Sequence, residues 1–214
     1  TRAQKMAVRL FHVSLGGELV LNNITLLDGL GMEPTDVTDS IRNAGGAIYN
    51  AGTLTVNDSL ITANRARRRG GGIFNIGTMT LNKSTLEGNG VNIGNEPNES
   101  GGGIFNAGTA TISHCTVANN IASQSSGGIA NTGTLTVTNS TISGNTTTLS
   151  NIVSGAAIVN AGTANISYTT IANNIGTTSG AVFSAPDSIQ ISNTIIADNT
   201  PQDCSYPASS PVTG

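Results

Sequence analysis

Charge, aromatic residues and cysteine are all scarce in this chain of 214 residues, and each shortage excludes something. Charged residues make up only 10% and the formal net charge is -3, so neither charge-driven disorder nor electrostatic attraction to nucleic acid or anionic lipid is expected. With 3% aromatics and no tryptophan, any core has to be built from small aliphatic side chains. The two cysteines, Cys115 and Cys204, are too few for a disulfide scaffold and stand at no metal-ligand spacing, so neither a metal nor another cofactor is expected. No apolar run approaches the roughly 20 residues of a helical membrane span, and the chain does not open on a signal peptide, which reads as a mature or trimmed piece.

What is abundant is Gly, Asn, Thr, Ser and Ala, and these residues recur in order. Gly-Gly-Ala-Ile-Tyr-Asn-Ala-Gly at 45–52 returns at 71–77, 102–108, 127–133 and, more loosely, 155–162. Aligning Ile48, Ile73, Ile104, Ile129, Ile158 and Val182 gives steps of 25, 31, 25, 29 and 24 residues. A period in this range signals a solenoid and takes precedence over local propensity. Two residues after each isoleucine stands an asparagine (Asn50, Asn75, Asn106, Asn131, Asn160), and six after it an apolar residue or alanine (Leu54, Met79, Ala110, Leu135, Ala164). A further apolar column, Ile61, Leu86, Val117, Ile142, Ile171 and Ile196, precedes by three residues a second asparagine column: Asn64, Asn89, Asn120, Asn145, Asn174 and Asn199.

Within each repeat the pattern Leu54, Val56, Ser59, Ile61, interleaved with Thr and Asn, alternates with period two over short runs, as strands do. The spacing predicts two or three strands of about four residues per turn, stacked in parallel as a single-stranded right-handed β-helix of seven or eight coils over residues 1–199, followed by a tail at 200–214. Val13, Leu19, Leu21 and Leu26 supply an earlier coil. Equivalent residues then lie about 4.8 Å apart, so asparagine amides can hydrogen-bond from coil to coil, and about eight rungs make a rod of roughly 35 to 40 Å. Ala63, Gly88, Asn119, Gly144, Asn173 and Asp198, just before the second asparagine column, are mostly types that tolerate the positive φ of a tight corner. Length varies mainly between that column and the next glycine pair, which predicts a loop there, with the basic run Arg65, Arg67, Arg68 and Arg69 inside it. Cys115 shares a column with Ser59, Ser84, Ser140, Thr169 and Thr194, so a small buried side chain is expected. Cys204, in a Pro-containing segment, could pair outside the chain.

The runs Gly-Gly-Gly-Ile-Phe-Asn-Ala-Gly-Thr (101–109) and Asn-Ser-Thr-Ile-Ser-Gly-Asn (139–145) resemble those of right-handed parallel β-helix repeat proteins of bacterial surfaces, and are similar to the Gly-Gly-Ala-Ile repeats of the chlamydial polymorphic outer-membrane proteins. The ending Ile195 to Thr200 with Asp203 and Cys204 resembles bacterial β-helix proteins that carry a C-terminal surface anchor. The likeness covers nearly the whole chain. It implies a secreted or surface-attached protein and leaves the activity open, because members of one fold differ in function.

Several functional surfaces follow as expectations. Pectate lyases and polygalacturonases share the fold, and an enzyme of that kind would need clustered carboxylates. Asp28, Asp58, Asp187 and Asp198 read as standing at different repeat positions, while Asp36, Asp39, Glu96 and Glu99, with Glu33, fall in two inserts that could build a site together. His12 and His114 read as surface or edge residues. The pairs Thr53 and Thr55, Thr78 and Thr80, Thr109 and Thr111, Thr134 and Thr136 should point outward as a flat array, similar to the Thr-x-Thr faces of ice-binding solenoids or simply a solvated sheet face. Tyr49, Phe74 and Phe105, with Ala130, Val159 and Phe183, lie opposite the inward isoleucines. They are either covered by an insert or form a surface for a partner or glycan. Neither end carries an amphipathic capping helix, so open strand edges invite other copies of the chain. The expected role is structural or adhesive, extracellular or at a cell surface. Other copies or cell-surface components are the expected partners, with glycans among the candidates, but no nucleic acid and no direct membrane span.

Overall fold

Aliphatic residues alternating with threonine favour extended segments whose two faces differ in polarity. The structure, a computed structural model, describes residues 8–32, 43–91, 100–149, 155–185 and 188–205, and all regular structure among them is β. The third coil is typical, with strands Ile73–Asn75, Thr78–Asn82, Thr85–Glu87 and Gly90–Val91. Each strand pairs in parallel with its equivalent one coil before and one coil after, which generates four sheets, A to D in coil order, of eight, seven, seven and five strands. Register is unbroken: Ile48, Ile73, Ile104, Ile129, Ile158 and Val182 pair in succession along sheet A. The fold is a parallel β-helix.

Each of the first five coils therefore has four strands, not the two or three expected, while the sixth and seventh have three. Sheet D was invisible because its two-residue strands, Leu30–Gly31, Arg65–Ala66, Gly90–Val91, Ile121–Ala122 and Thr146–Thr147, repeat no residue type between successive coils. Ala66, Val91 and Ala122 bury there as a small cluster of their own. Arg65 accordingly lies in a strand, where a loop was expected. The chain also does not leave the solenoid at 199. Cys204–Ser205 pairs with Val182 and Phe183 and begins an eighth coil, which moves the end of the solenoid past the expected boundary.

Inside the coils the aliphatic columns merge into one core, in which Ile48, Leu54, Ile61, Ile73, Leu86, Ile104, Ile129 and Ile142 are completely buried. Polar side chains inside it are satisfied vertically. At the turn from sheet A to sheet B, Asn50 Nδ2 donates to Asn75 Oδ1 at 2.6 Å, Asn75 to Asn106 at 2.7 Å, Asn106 to Asn131 at 2.7 Å and Asn131 to Asn160 at 2.7 Å. At the turn from C to D, Asn64 donates to Asn89 at 2.9 Å, Asn89 to Asn120 at 3.0 Å, Asn120 to Asn145 at 3.0 Å, Asn145 to Asn174 at 2.9 Å and Asn174 to Asn199 at 2.9 Å. Here each Oδ1 also accepts the backbone N–H of the coil before, as in Asn89 N to Asn120 Oδ1 at 2.9 Å. The file ends on a carboxylate, because Asn199 Nδ2 donates to Asp203 Oδ1 at 2.9 Å. At the B-to-C turn a hydroxyl file does similar work: Ser59 N donates to Ser84 Oγ at 3.1 Å, Ser84 N to Cys115 Sγ at 3.4 Å and Cys115 N to Ser140 Oγ at 3.1 Å.

The corners explain the glycines. Gly52, Gly77, Gly108, Gly133 and Gly162 stack where sheet A turns into sheet B, and a Cβ on Gly108 would lie 2.1 Å from the Gly77 carbonyl oxygen. Gly88, at φ 61°, has no atom within 3.8 Å of such a Cβ and stands in the C-to-D corner column with Ala63, Asn119, Gly144, Asn173 and Asp198, all with positive φ.

Two outcomes follow in chemical or thermal denaturation. Gly108→Ala should lower stability by about 1–3 kcal/mol, the usual cost of forcing a group into a packed interior, whereas Gly88→Asn should be close to neutral. Asn106→Ala removes the bonds from Asn75 and to Asn131 and should cost about 1–3 kcal/mol through the buried polar groups it leaves unmatched. A loss below 0.5 kcal/mol in both Gly108→Ala and Asn106→Ala would contradict the stacking described.

Candidate interaction surfaces

Sheet B presents its alternate residues to solvent. Thr53, Thr78, Thr109, Thr134 and Thr163 are exposed in one file, and Thr55, Thr80, Thr111 and Thr136, with Asn165, form the next. The two files are paired residue for residue across these coils. Glu18 and Val20 bound them in the first coil and Gln190 in the seventh. A third outward file, Asn57, Asn82, Ser113, Thr138 and Ser167, completes an uncharged face of hydroxyls and amides.

Of the two alternatives for the aromatic stripe, covered or open to a partner, the structure shows it covered. Tyr49, Phe74 and Phe105 retain only 4%, 8% and 6% exposure, and with Ala44 and Ala130 they form a second cluster on the outer side of sheet A. The rings stack with centroids 5.3 Å apart at both steps, and His12, itself exposed, tilts against Tyr49 at 4.8 Å. Cover comes from the residues just before the glycine pair. Gly45, Gly70 and Gly101 have φ of 64°, 62° and 69°, which reverses the chain so that Ala44, Arg69 and Ser100 bridge to one another beside the rings. Arginines close the stripe. Arg9 lies 5.1 Å from the Tyr49 ring centroid and donates to the Ala44 carbonyl at 2.8 Å, and Arg69 lies 4.8 Å from the Phe105 centroid. Burial, and secondarily Arg68, pulls the Arg69 guanidinium below its ordinary pKa. The basic run is thus divided, with Arg65 donating from sheet D to the Gly88 carbonyl at 2.8 Å and Arg69 acting as part of the aromatic cover.

The corner from sheet B to sheet C contains a second positive-φ column that the sequence reading did not single out. It holds Asn23, Asp58, Lys83, His114, Asn139, Tyr168 and Asn193, with φ between 47° and 55°. Their signal was present, since each stands one residue before the Ser59, Ser84, Cys115, Ser140, Thr169 and Thr194 column or, for Asn23, at the matching place in the first coil. Its mixed chemistry hid it. An open groove of about 540 Å³ runs along this corner over the first three coils, lined by Asn23, Thr25, Asp58, Leu60, Lys83 and Thr85, with Ile24 and Ser59 in its lining as well.

The carboxylates are dispersed among the described residues. Asp28 and Asp198 share the C-to-D corner column, contrary to the expectation that they differ in position, but lie in the first and seventh coils. Asp58 belongs to the B-to-C corner. Glu33, Asp36, Asp39, Glu96, Glu99 and Asp187 lie outside the described residues. Among the described residues no group of three or more His, Cys, Asp or Glu is placed to hold a metal ion, and no helix is long and apolar enough to cross a membrane. Comparison with protein-family models, with curated proteins and with solved structures returns no match to this chain.

Both thiols are free, Cys115 buried in the hydroxyl file and Cys204 half-buried at the last strand. Burial pushes both above the usual thiol pKa, with a further push on Cys204 from Asp203. A raised pKa keeps the thiolate scarce at pH 8. Native protein at that pH should therefore react slowly with Ellman's reagent at Cys204 and not at all at Cys115 over minutes, whereas unfolded protein should show two reactive thiols. Rapid native reaction of Cys115 would contradict its placement.

Proposed function

We propose that this chain is a non-enzymatic, extracellular structural or adhesive rod that meets other copies of itself and cell-surface components, glycans among them. The observation that carries the reading is the repetition of one uncharged polar cross-section, with the threonine files of sheet B in unbroken register over five coils. A periodic face of short hydroxyl side chains suits many weak, equivalent contacts in place of one reacting centre. A stiff core keeps those contacts at fixed intervals. Low charge, abundant Thr, Asn and Gly, and the likeness to bacterial surface repeats support a place outside the cell.

Self-association rests on the seventh coil. Among the described residues Ile189–Ser192 and Ile195–Ala197 are the last strands of sheets B and C, and Ile195 is 63% exposed where its equivalents in the middle coils are threonines. A sheet edge with an apolar side chain beside it is a template for another strand. A second reading, an ice-binding face, is favoured by the Thr53–Thr134 array itself, whose spacings are about 4.8 Å between coils and about 7 Å along the strand.

Sedimentation velocity over a hundredfold concentration range should show association that Ile195→Lys abolishes; a wild-type monomer at every concentration would sink the self-association part. Incubation with polygalacturonate, with and without calcium, should release no product, and clear turnover would overturn the non-enzymatic reading. Thermal hysteresis that disappears in Thr109→Tyr with Thr134→Tyr would decide for ice binding.

A further inference from the structure

We infer that the corner between sheets B and C is a binding strip for a neutral linear oligosaccharide lying along the rod axis. The inference deepens the adhesive reading above by naming a ligand class and a place for it.

The side chains of this corner stand in file because their backbones do. Asp58 N donates to the Asn82 carbonyl at 3.1 Å, Lys83 N to Ser113 at 3.0 Å, His114 N to Thr138 at 3.2 Å, Asn139 N to Ser167 at 3.2 Å and Tyr168 N to Ser192 at 3.2 Å. With coils about 4.8 Å apart, the file from Asn23 to Asn193 is about 29 Å long. Every residue in it occupies the left-handed region, which glycine, asparagine, aspartate and histidine enter more readily than other side chains. Asn23, Asp58, His114, Asn139 and Asn193 obey that preference, whereas Lys83 at φ 48° and Tyr168 at 51° do not. The fold does not require large residues at such a corner. The equivalent C-to-D column is held by Asp28, Ala63, Gly88, Asn119, Gly144, Asn173 and Asp198, none of them longer than asparagine. Lys83 and Tyr168, two large side chains kept in an unfavourable conformation and pointing to solvent with His114 between them in the file, are the kind of local strain that function retains.

The surface beside them fits a sugar chain. The groove is mainly polar, with Asn23, Thr25 and Thr85 offering amide and hydroxyl partners and Ile24 and Leu60 adding a small apolar contribution for the C–H faces of pyranose rings. Tyr168, 62% exposed three coils beyond Lys83, supplies an aromatic platform with a polar tip. Asp58 and Lys83, exposed on adjacent coils, place opposite charges side by side, which disfavours a uniformly charged polymer and admits a neutral one. One pyranose unit is about as long as one rung, so successive sugars can meet successive coils.

The test is isothermal titration of the full chain with cellohexaose, laminarihexaose and chitohexaose, with hexagalacturonate as the polyanionic arm. At least one neutral hexasaccharide should bind, and more tightly than hexagalacturonate. The triple variant Lys83→Asn, His114→Asn, Tyr168→Asn should weaken that binding at least tenfold while unfolding at the same or a higher temperature, because asparagine is the residue the corner prefers. No binding by any neutral hexasaccharide, preference for hexagalacturonate, or undiminished binding by the triple variant would each overturn the inference. Sedimentation of the same variant separates the two proposals: self-association should be unchanged, so loss of the strip leaves the rod's association intact.

Discussion

The hydrogen bond from one asparagine amide to the asparagine directly above it is the constraint on which the molecule depends. A parallel stack of coils has to turn several corners per coil, and at each corner the backbone leaves its ladder and exposes polar groups to the interior. Asn64, Asn89, Asn120, Asn145 and Asn174 meet this need twice over, because each Oδ1 beyond the first takes both the side-chain and the backbone N–H of the coil below. Such a bond exists only if equivalent residues are in register, so the amides that satisfy the corners also forbid slippage of the strands. Apolar columns alone would not, since Ile, Leu and Val are interchangeable within them.

Once the coils are locked, the remaining features follow from geometry. Stacking at strand spacing leaves no room for a Cβ where sheet A meets sheet B, and glycine fills Gly52, Gly77, Gly108, Gly133 and Gly162. The inward face takes aliphatic residues and the outward face takes threonine, whose branched side chain suits a pleated surface. Sequence repetition and structural repetition are the same fact viewed twice.

That identity also sets how much could be read in advance. Columns occupied by one residue type in coil after coil, the isoleucines of sheet A and both asparagine files, were legible because the chemistry of their sites admits few alternatives. Sheet D was not, since Arg65, Gly90, Ile121 and Thr146 occupy one column and only Gly90 among them is buried. The aromatic stripe was placed correctly on the outer side of sheet A, but its burial depends on the reversal at Gly45, Gly70 and Gly101 and on Arg9 and Arg69, contacts between segments distant in sequence. The B-to-C corner column escaped for a different reason: Asp58, Lys83, His114 and Tyr168 share a backbone conformation and no chemistry, so pattern reading had nothing to align. The threonine array was legible as an outward face.

Asp203 gives the amide file a sense of direction. Each asparagine sends one Nδ2–H toward the C-terminal end and donates again to a carbonyl of the coil before, as Asn89 does to Ile61, while every Oδ1 faces the N-terminal side, so the side-chain dipoles share a component along the file with its positive pole at Asn199. An anion at that pole is electrostatically favoured, and the Asp203 carboxylate receives both Asn199 N–H groups there, at 3.2 Å and 2.9 Å. A carboxylate accepts and has no N–H to hand on. The chain of hydrogen bonds that ties coil to coil therefore closes at this residue, and the two ends of the file are chemically unlike, with Asn64 Oδ1 accepting from Gly29 N at one and Asn199 donating to a carboxylate at the other.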